Sequence, residues 1–217
     1  VGFNKTVISI ISMNNVEDTY DNIAKDFNRT RYKVWKKVAQ FLDTLEQDTK
    51  MLEIGCGNGK NMLYRTDIHT TGIDISQEQV TICKSKGLCV EKSNMTCIPY
   101  DDCEFDSIIC IATYHHLDND DERKQSLLEM YRVLKVGGKL LLSVWAMEQP
   151  ENSLYKFRSS DEMVSWKLGN TTHLRYYHIY KENDLEKEIK LFSPLFNIES
   201  VFYDSGNWYT ILSKDNK

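Results

Sequence analysis

Positive charge, paired cysteines and long apolar runs are all scarce in this chain, and each shortage closes off a class of protein. Its 27 lysines and arginines face 32 aspartates and glutamates, a formal net charge of −5. The chain as a whole therefore does not attract a polyanion, and a nucleic-acid substrate would need a local basic patch or a partner to supply the positive field. The six cysteines (Cys56, Cys83, Cys89, Cys97, Cys103, Cys110) contain no C-x-x-C pair and no zinc-ligand spacing, so no metal site is expected. Several lie in apolar runs, where a free thiol behaves as a small hydrophobe. That usage fits a reducing compartment, the cytoplasm or the nucleus. The apolar stretch Val7–Ile11 is too short to span a membrane and no small-residue cleavage site follows it. Internal repeats, low-complexity tracts and long linkers are absent as well.

What is there is enough for one packed domain. Hydrophobic residues make up 41% of the 217, and four tryptophans and twelve tyrosines argue against disorder. Residues 1–14 read as an extension without function, and 15–217 as a single domain. Helical spacing runs from Val16 to Phe27 and again through Val34, Trp35, Val38, Phe41, Leu42 and Leu45. Buried strands are expected at Lys50–Ile54, Thr70–Ile73 and Phe105–Ala112, with a weak one at Leu88–Val90. Helices are expected from Ser76, as cap, to Lys84 and over Glu122–Leu134, the latter ended by Val136-Gly137-Gly138 before a strand Lys139–Trp145. This alternation predicts an α/β, Rossmann-like fold: a seven-stranded, mostly parallel sheet with helices on both faces. Residues 147–173 have weak periodicity and read as an insertion. After a helix at Glu182–Leu191, strands Phe196–Tyr203 and Trp208–Leu212 flank the turn Asp204-Ser205-Gly206-Asn207 and close the sheet as an antiparallel hairpin.

The chemistry-bearing segment is Met51-Leu52-Glu53-Ile54-Gly55-Cys56-Gly57-Asn58-Gly59-Lys60, a strand running into a glycine-rich turn where backbone approaches a ligand. A G-x-G-x-G turn alone does not separate a dinucleotide from S-adenosylmethionine. A pyrophosphate needs a helix N-terminus facing it, whereas Glu53 beside the turn suits a ligand carrying ammonium and sulfonium charge. Asp74 ends the next strand, fifteen residues after Gly59, where a carboxylate accepts hydrogen bonds from both ribose hydroxyls; as a bland alternative it caps the following helix. Ile75 follows it. Asn94 and the Met95 N–H after the third strand are candidates for the adenine edge, and Ile111 for its face or for plain core.

The glycine turn, Asp74, the strand Phe105–Ala112 and Leu134–Leu142 together resemble class I methyltransferases over roughly residues 48–146. Five further segments (Thr30–Trp35, Ile111–Leu117, Val144–Ala146, Arg175–Tyr180, Asp204–Tyr209) resemble the eukaryotic tRNA wobble-uridine carboxymethyl methyltransferases, in order, across nearly the whole chain from Asp18. Asn94 departs from the aspartate usual there, but the adenine amino group needs only an acceptor. The resemblance implies S-adenosylmethionine as cofactor and methyl esterification of 5-carboxymethyluridine at tRNA position 34. It also implies a heterodimeric partner, a small zinc-binding methyltransferase activator; pairing through the Leu88–Val90 edge is expected, the alternative being an edge simply protected by Lys84, Lys86, Glu91 and Lys92.

A carboxylate nucleophile is already ionised at neutral pH, so positioning groups are wanted rather than a general base. Candidates are Arg175 as a bidentate carboxylate clamp, Tyr177 and His178 beside it, one of His115 and His116, with His116 the first choice, and Arg31. The same aromatics also read as strand core or as a base-stacking surface. Arg29, Arg31, Lys33, Lys36 and Lys37 place five cations in nine residues with no acid among them, a candidate tRNA phosphate patch or a solvated helix face. Two other readings stay open: a class I enzyme acting on a small molecule, and an inactive scaffold that kept the fold.

Overall fold

The structure, a computed structural model, describes residues 16–215; the expected extension at 1–14 lies outside the described residues. Five strands run parallel: β1 (Lys50–Ile54), β2 (His69–Asp74), β3 (Cys89–Lys92), β4 (Phe105–Ile111) and β5 (Leu134–Trp145). A closing hairpin, β8 (Asn197–Asp204) and β9 (Asn207–Ser213), joins them with β9 antiparallel to both neighbours. The order across the sheet is β3-β2-β1-β4-β5-β9-β8.

Alternation along each strand sends successive side chains to opposite faces, and both faces here are apolar. Leu52, Ile54, Ile108, Cys110, Leu140 and Leu142 pack on one side beneath α4 (Asp120–Val133) and α5 (Asp184–Phe192). Met51, Ile109, Leu141 and Tyr209 pack on the other beneath α2 (Lys36–Leu42). The chain order reverses between β1 and β4, so their carboxyl ends diverge and open a crevice, the place where open α/β sheets bind ligands. The amphipathic helix α1 (Val16–Thr30) leans over that crevice. It is fastened to the start of α3 (Gln77–Ser85) by Asp21, whose Oδ1 accepts from Ser76 Oγ at 2.6 Å and from the Glu78 N–H at 3.0 Å.

Three features differ from expectation. Val136-Gly137-Gly138 does not separate α4 from its strand. Leu134 is buried and already pairs with Phe105, and the register shift between Phe105 and Ser107 takes up the extra residues as a bulge. Residues 147–173 are not irregular throughout: β6 (Asp161–Leu168) and β7 (Thr171–His178) form a separate antiparallel hairpin. Val164 and Trp166 point inward with Arg175 and Tyr177, while Met163, Ser165 and Lys167 face out. The two-residue turn Gly169-Asn170 was the available hairpin signal. Finally, no helix follows β1; residues 60–64 are a series of turns. The expected closing hairpin does form, around Ser205 and Gly206, both at positive φ as its two-residue turn requires.

Candidate functional site

A cleft of about 270 Å³ opens at the carboxyl ends of β1, β2 and β4, under α1. Gly55, Gly57, Asp74, Ile75, Asn94, Met95 and Ile111, all expected at a cofactor, line it together. Gly55 sits at φ +68°, and a Cβ there would lie 2.2 Å from the Thr113 side chain, so glycine is demanded twice over. Gly57, at φ +52° beneath the Phe27 ring, gives its N–H to Asp74 Oδ2 at 2.8 Å, and Ser76 N–H bonds Asp74 Oδ1 at 2.9 Å. An ionised carboxylate accepts at about four positions, so these amides do not exhaust its acceptor capacity. Burial pushes the Asp74 carboxyl up to about 6, against the lowering pull of the Ser76 and Gly57 amides. Asn94 folds its Oδ1 onto the Thr96 N–H at 3.0 Å, again with one lone pair left for an amino group.

Four expected cofactor residues do not line the cleft but shape it from behind. Cys56 is buried and hydrogen-bonds through its N–H to the Ile73 carbonyl. The Asn58 amide donates to the Arg31 carbonyl at 2.8 Å, and the Gly59 N–H closes the turn on the Cys56 carbonyl at 2.9 Å. Glu53 is buried under the turn, with Oε1 accepting from Asn61 at 2.7 Å and Oε2 unpartnered. Burial raises its carboxyl to about 8, so at neutral pH it is largely uncharged and offers a ligand cation little.

On the opposite side only His116 of the substrate-side candidates lines the cleft; Arg175 and Tyr177 are buried behind it, and His115 lies beneath it. The Tyr176 carbonyl, 2.8 Å from His116 Nδ1, must accept a proton from it. Nε2 is then free to accept from the Tyr20 hydroxyl, also at 2.8 Å. Burial depresses the His116 imidazole to about 3, so it is neutral and its tautomer is set by these partners. His115 has a different job: its Nδ1 accepts the Trp145 N–H at 3.0 Å and its Nε2 has no partner.

Arg175, on β7, lies behind this wall and does not itself line the cleft. It is 4% exposed, with its guanidinium 5.0 Å from the Trp166 ring and 5.2 Å from that of Tyr177. Its Nε has no hydrogen-bond partner, and no carboxylate forms an ion pair with it among the described residues. Burial drives the Tyr177 phenol well up, with neighbouring Tyr20 raising it further and Arg175 pulling it down, so Tyr20, Tyr177 and Arg175 converge. Tyr177 stacks on Trp145 at 4.4 Å and packs against both histidines.

His178 is placed elsewhere. It hydrogen-bonds Asp161 at 3.0 Å at the base of the hairpin and does not line the cleft. Arg31 stays at the surface with its guanidinium 4.9 Å from Trp166, so one indole serves two cations. The acid-free run is also less free than it reads: Arg29 pairs with Asp26, a helical turn earlier, at 2.6 Å. Lys33 and Lys36 are exposed, and Lys37 is half-buried over the Phe202 ring at 5.7 Å. Tyr20, Phe27, Thr113 and Tyr176 line the cleft without having been singled out, since nothing in their spacing distinguishes them from core positions.

The cleft fits S-adenosylmethionine better than a dinucleotide. Its base is a glycine cradle that a Cβ would fill, its rim holds one carboxylate placed for a ribose, and no helix N-terminus follows β1 to hold a pyrophosphate. The comparisons with known proteins agree. Residues 52–142 match a methyltransferase-domain family. The chain is 31% identical to the tRNA (carboxymethyluridine(34)-5-O)-methyltransferase of Schizosaccharomyces pombe over 92% of this chain and 96% of that one. It is 40% identical to the protein of the same name from Arabidopsis thaliana over 64% of its own length, and there it spans only 34% of the relative. Among solved structures, the complex between the Haloferax volcanii Trm112 methyltransferase activator and a methyltransferase has the same fold. It superposes with a TM-score of 0.68 at 15% identity, covering 94% of this chain and 99% of that one.

Proposed function

The chain belongs to the family of the tRNA (carboxymethyluridine(34)-5-O)-methyltransferases, and from that premise we propose that it esterifies the carboxylate of 5-carboxymethyluridine at tRNA position 34, using S-adenosylmethionine. The observation that carries this reading is Arg175, a buried guanidinium without an ion-pair partner among the described residues, beside a cofactor-shaped cleft. An unpaired buried charge is costly, and a substrate carboxylate is the group that would relieve it.

When bound, the cofactor supplies an electrophilic sulfonium methyl, which a carboxylate oxygen takes with no proton to remove. Gly55, Gly57 and Asp74 would hold the cofactor's polar end and ribose, and Asn94 and Met95 its adenine. Arg175 orients the substrate carboxylate through directed hydrogen bonds. His116, neutral and accepting from Tyr20, fixes that phenol without adding a second cation that would over-stabilise the carboxylate before transfer. Trp145, Tyr155, Phe157 and Tyr177 exclude water from this side.

Incubation with tRNA lacking the ester and labelled cofactor tests the reading: label in a base-labile ester at the wobble uridine is expected. Label only on small acceptors would replace the reading with a small-molecule methyltransferase. Calorimetry showing no cofactor binding would leave an inactive scaffold.

The expected zinc-binding activator is also part of this proposal. β3 is an outer strand of the sheet, hydrogen-bonded among the described residues to β2 alone, and its other side can accept a partner strand. The Haloferax volcanii complex, built on the same fold, supports such a heterodimer. Hydrogen exchange after co-expression is expected to show new protection across residues 87–98. Protection confined to other surfaces would refute pairing at this edge.

A further inference from the structure

A second hollow, of about 340 Å³, lies behind the glycine turn, between the α1–α2 connection and the turns after β1. This falls in the range of roughly 300–1,000 Å³ common to ligand sites. Asn28, Tyr32, Asn58, Lys60, Tyr64 and Lys86 are among its walls. We infer that it is a subsite for a nucleotide of single-stranded RNA flanking the modified one, its base against Tyr32 and Tyr64 and its phosphate at Lys86 and Lys60. The inference rests on the tRNA reading and adds a place on the protein where the RNA is gripped.

Aromatic surface is displayed there rather than buried. Tyr32 is 69% exposed, Tyr64 41% and the neighbouring Leu63 48%, an unusual density of large apolar side chains in one small area. The Tyr64 hydroxyl is tethered to Asp43 Oδ2 at 3.3 Å, which holds the ring in place and leaves its faces available. The cations are positioned as well. Lys86 Nζ donates to Asn28 Oδ1 at 2.8 Å and to the Asn58 carbonyl at 2.7 Å, so its third N–H remains for an anion. Lys60 is held over the Trp35 ring at 5.1 Å, and Lys33 stands 6.0 Å from the Tyr32 ring. Neither Lys60 nor Lys86 forms an ion pair with a carboxylate among the described residues.

Exposed ring faces interleaved with ordered lysines make a stacking platform for single-stranded nucleic acid. An acidic peptide would use the cations but has no planar groups for the rings. The hollow also adjoins the cofactor cleft: Asn58 forms its wall, and Gly57, next in the chain, lines the cleft. An RNA strand entering the active site would thus be held at a surface that also braces the cofactor turn.

The test is the affinity of a labelled anticodon stem-loop for wild type, Tyr32→Ala, Tyr64→Ala and Lys86→Gln, alongside cofactor calorimetry and a melting curve for each. Tyr32→Ala is the decisive variant because its ring is largely in solvent and its removal leaves the fold intact. Each tyrosine variant is expected to bind the stem-loop roughly five- to thirtyfold more weakly, with cofactor affinity unchanged. Polyglutamate is expected to bind the tyrosine variants and wild type alike. Wild-type stem-loop affinity in Tyr32→Ala and Tyr64→Ala overturns the subsite while leaving the tRNA reading intact. Equal loss of polyglutamate and RNA binding reassigns the hollow to an acidic protein. Failure of wild type to bind the stem-loop at all removes the tRNA reading itself.

Discussion

The two walls of the cleft are built on different principles. The β1–β2 wall is backbone and one carboxylate: glycines at positive φ, amides aimed at Asp74, all within residues 55–76 of one continuous segment. The facing side is side chains drawn from four distant places: Tyr20 of α1 and His116 after β4 line the cleft, with Trp145 of β5 and Arg175 and Tyr177 of β7 packed behind them. A backbone cradle tolerates change around it as long as the turn holds its shape. The hairpin members of the cluster, Arg175 and Tyr177, can change without disturbing the main sheet, because β6 and β7 are not part of it. Cofactor binding and substrate choice are therefore separable, and mutations can break one wall at a time.

The largest effect is expected from Asp74→Ala. On the proposed reading it deletes the acceptor for two ribose hydroxyls, at ~1.5–3 kcal/mol per charge-assisted bond, and it releases the Gly57 and Ser76 amides. Calorimetry should show cofactor affinity down by ~100-fold or more while the chain stays folded; undiminished affinity would falsify the assignment. Arg175→Met comes next and acts on the other wall. Losing one partner of a buried charge pair costs about 2–5 kcal/mol, so kcat/KM for tRNA should drop on the order of 30- to 5,000-fold with cofactor affinity untouched. A matching loss of cofactor binding in this variant would erase the distinction between the walls.

A smaller effect sharpens the comparison through pH. In the free protein the Asp74 carboxyl titrates at about 6 because it is buried. Hydroxyl donors favour its ionised form, so cofactor binding should be full above that pH and weaken as pH falls through it. The limiting slope is about tenfold per pH unit. For the unliganded fold the sign is opposite. A carboxyl whose folded value exceeds its unfolded one binds its proton more tightly when folded, so its contribution to stability declines as pH rises from about 4 to 6. Calorimetry from pH 5 to 7, below the range where Glu53 ionises, should show the affinity trend in wild type, and Asp74→Asn should flatten it. His116, already neutral throughout that range, adds nothing to the slope.

The smallest effect concerns the basic run outside both walls. Arg29 is excluded because Asp26 already neutralises it. Replacing Lys33, Lys36 and Lys37 together should flatten the salt dependence of tRNA binding by ~0.9 per lost duplex phosphate contact. An unchanged slope would leave these lysines as a solvated face.

By itself, the sequence determined whatever depends on neighbours along the chain. The G-x-G-x-G turn after an apolar strand, Asp74 at the next strand end and the Ser205-Gly206 turn are local, because positive φ, strand alternation and caps are decided within a few residues. The parallel sheet was legible for the same reason, from apolar runs alternating with helical periods. Only tertiary structure decided which face each polar side chain took. Glu53 and Asn58 lie within the motif yet turn away from the cleft, since the tight turn and the buried space behind it leave them no other direction. His115 and His116 are adjacent in sequence, and a 3-10 turn after β4 sends one to the cleft and the other beneath it. Tyr20 and Arg175 stand 155 residues apart, and their meeting depends on how α1 and the β6–β7 hairpin fold over the sheet. Long-range packing of this kind has no period along the chain, so no window of residues contains it.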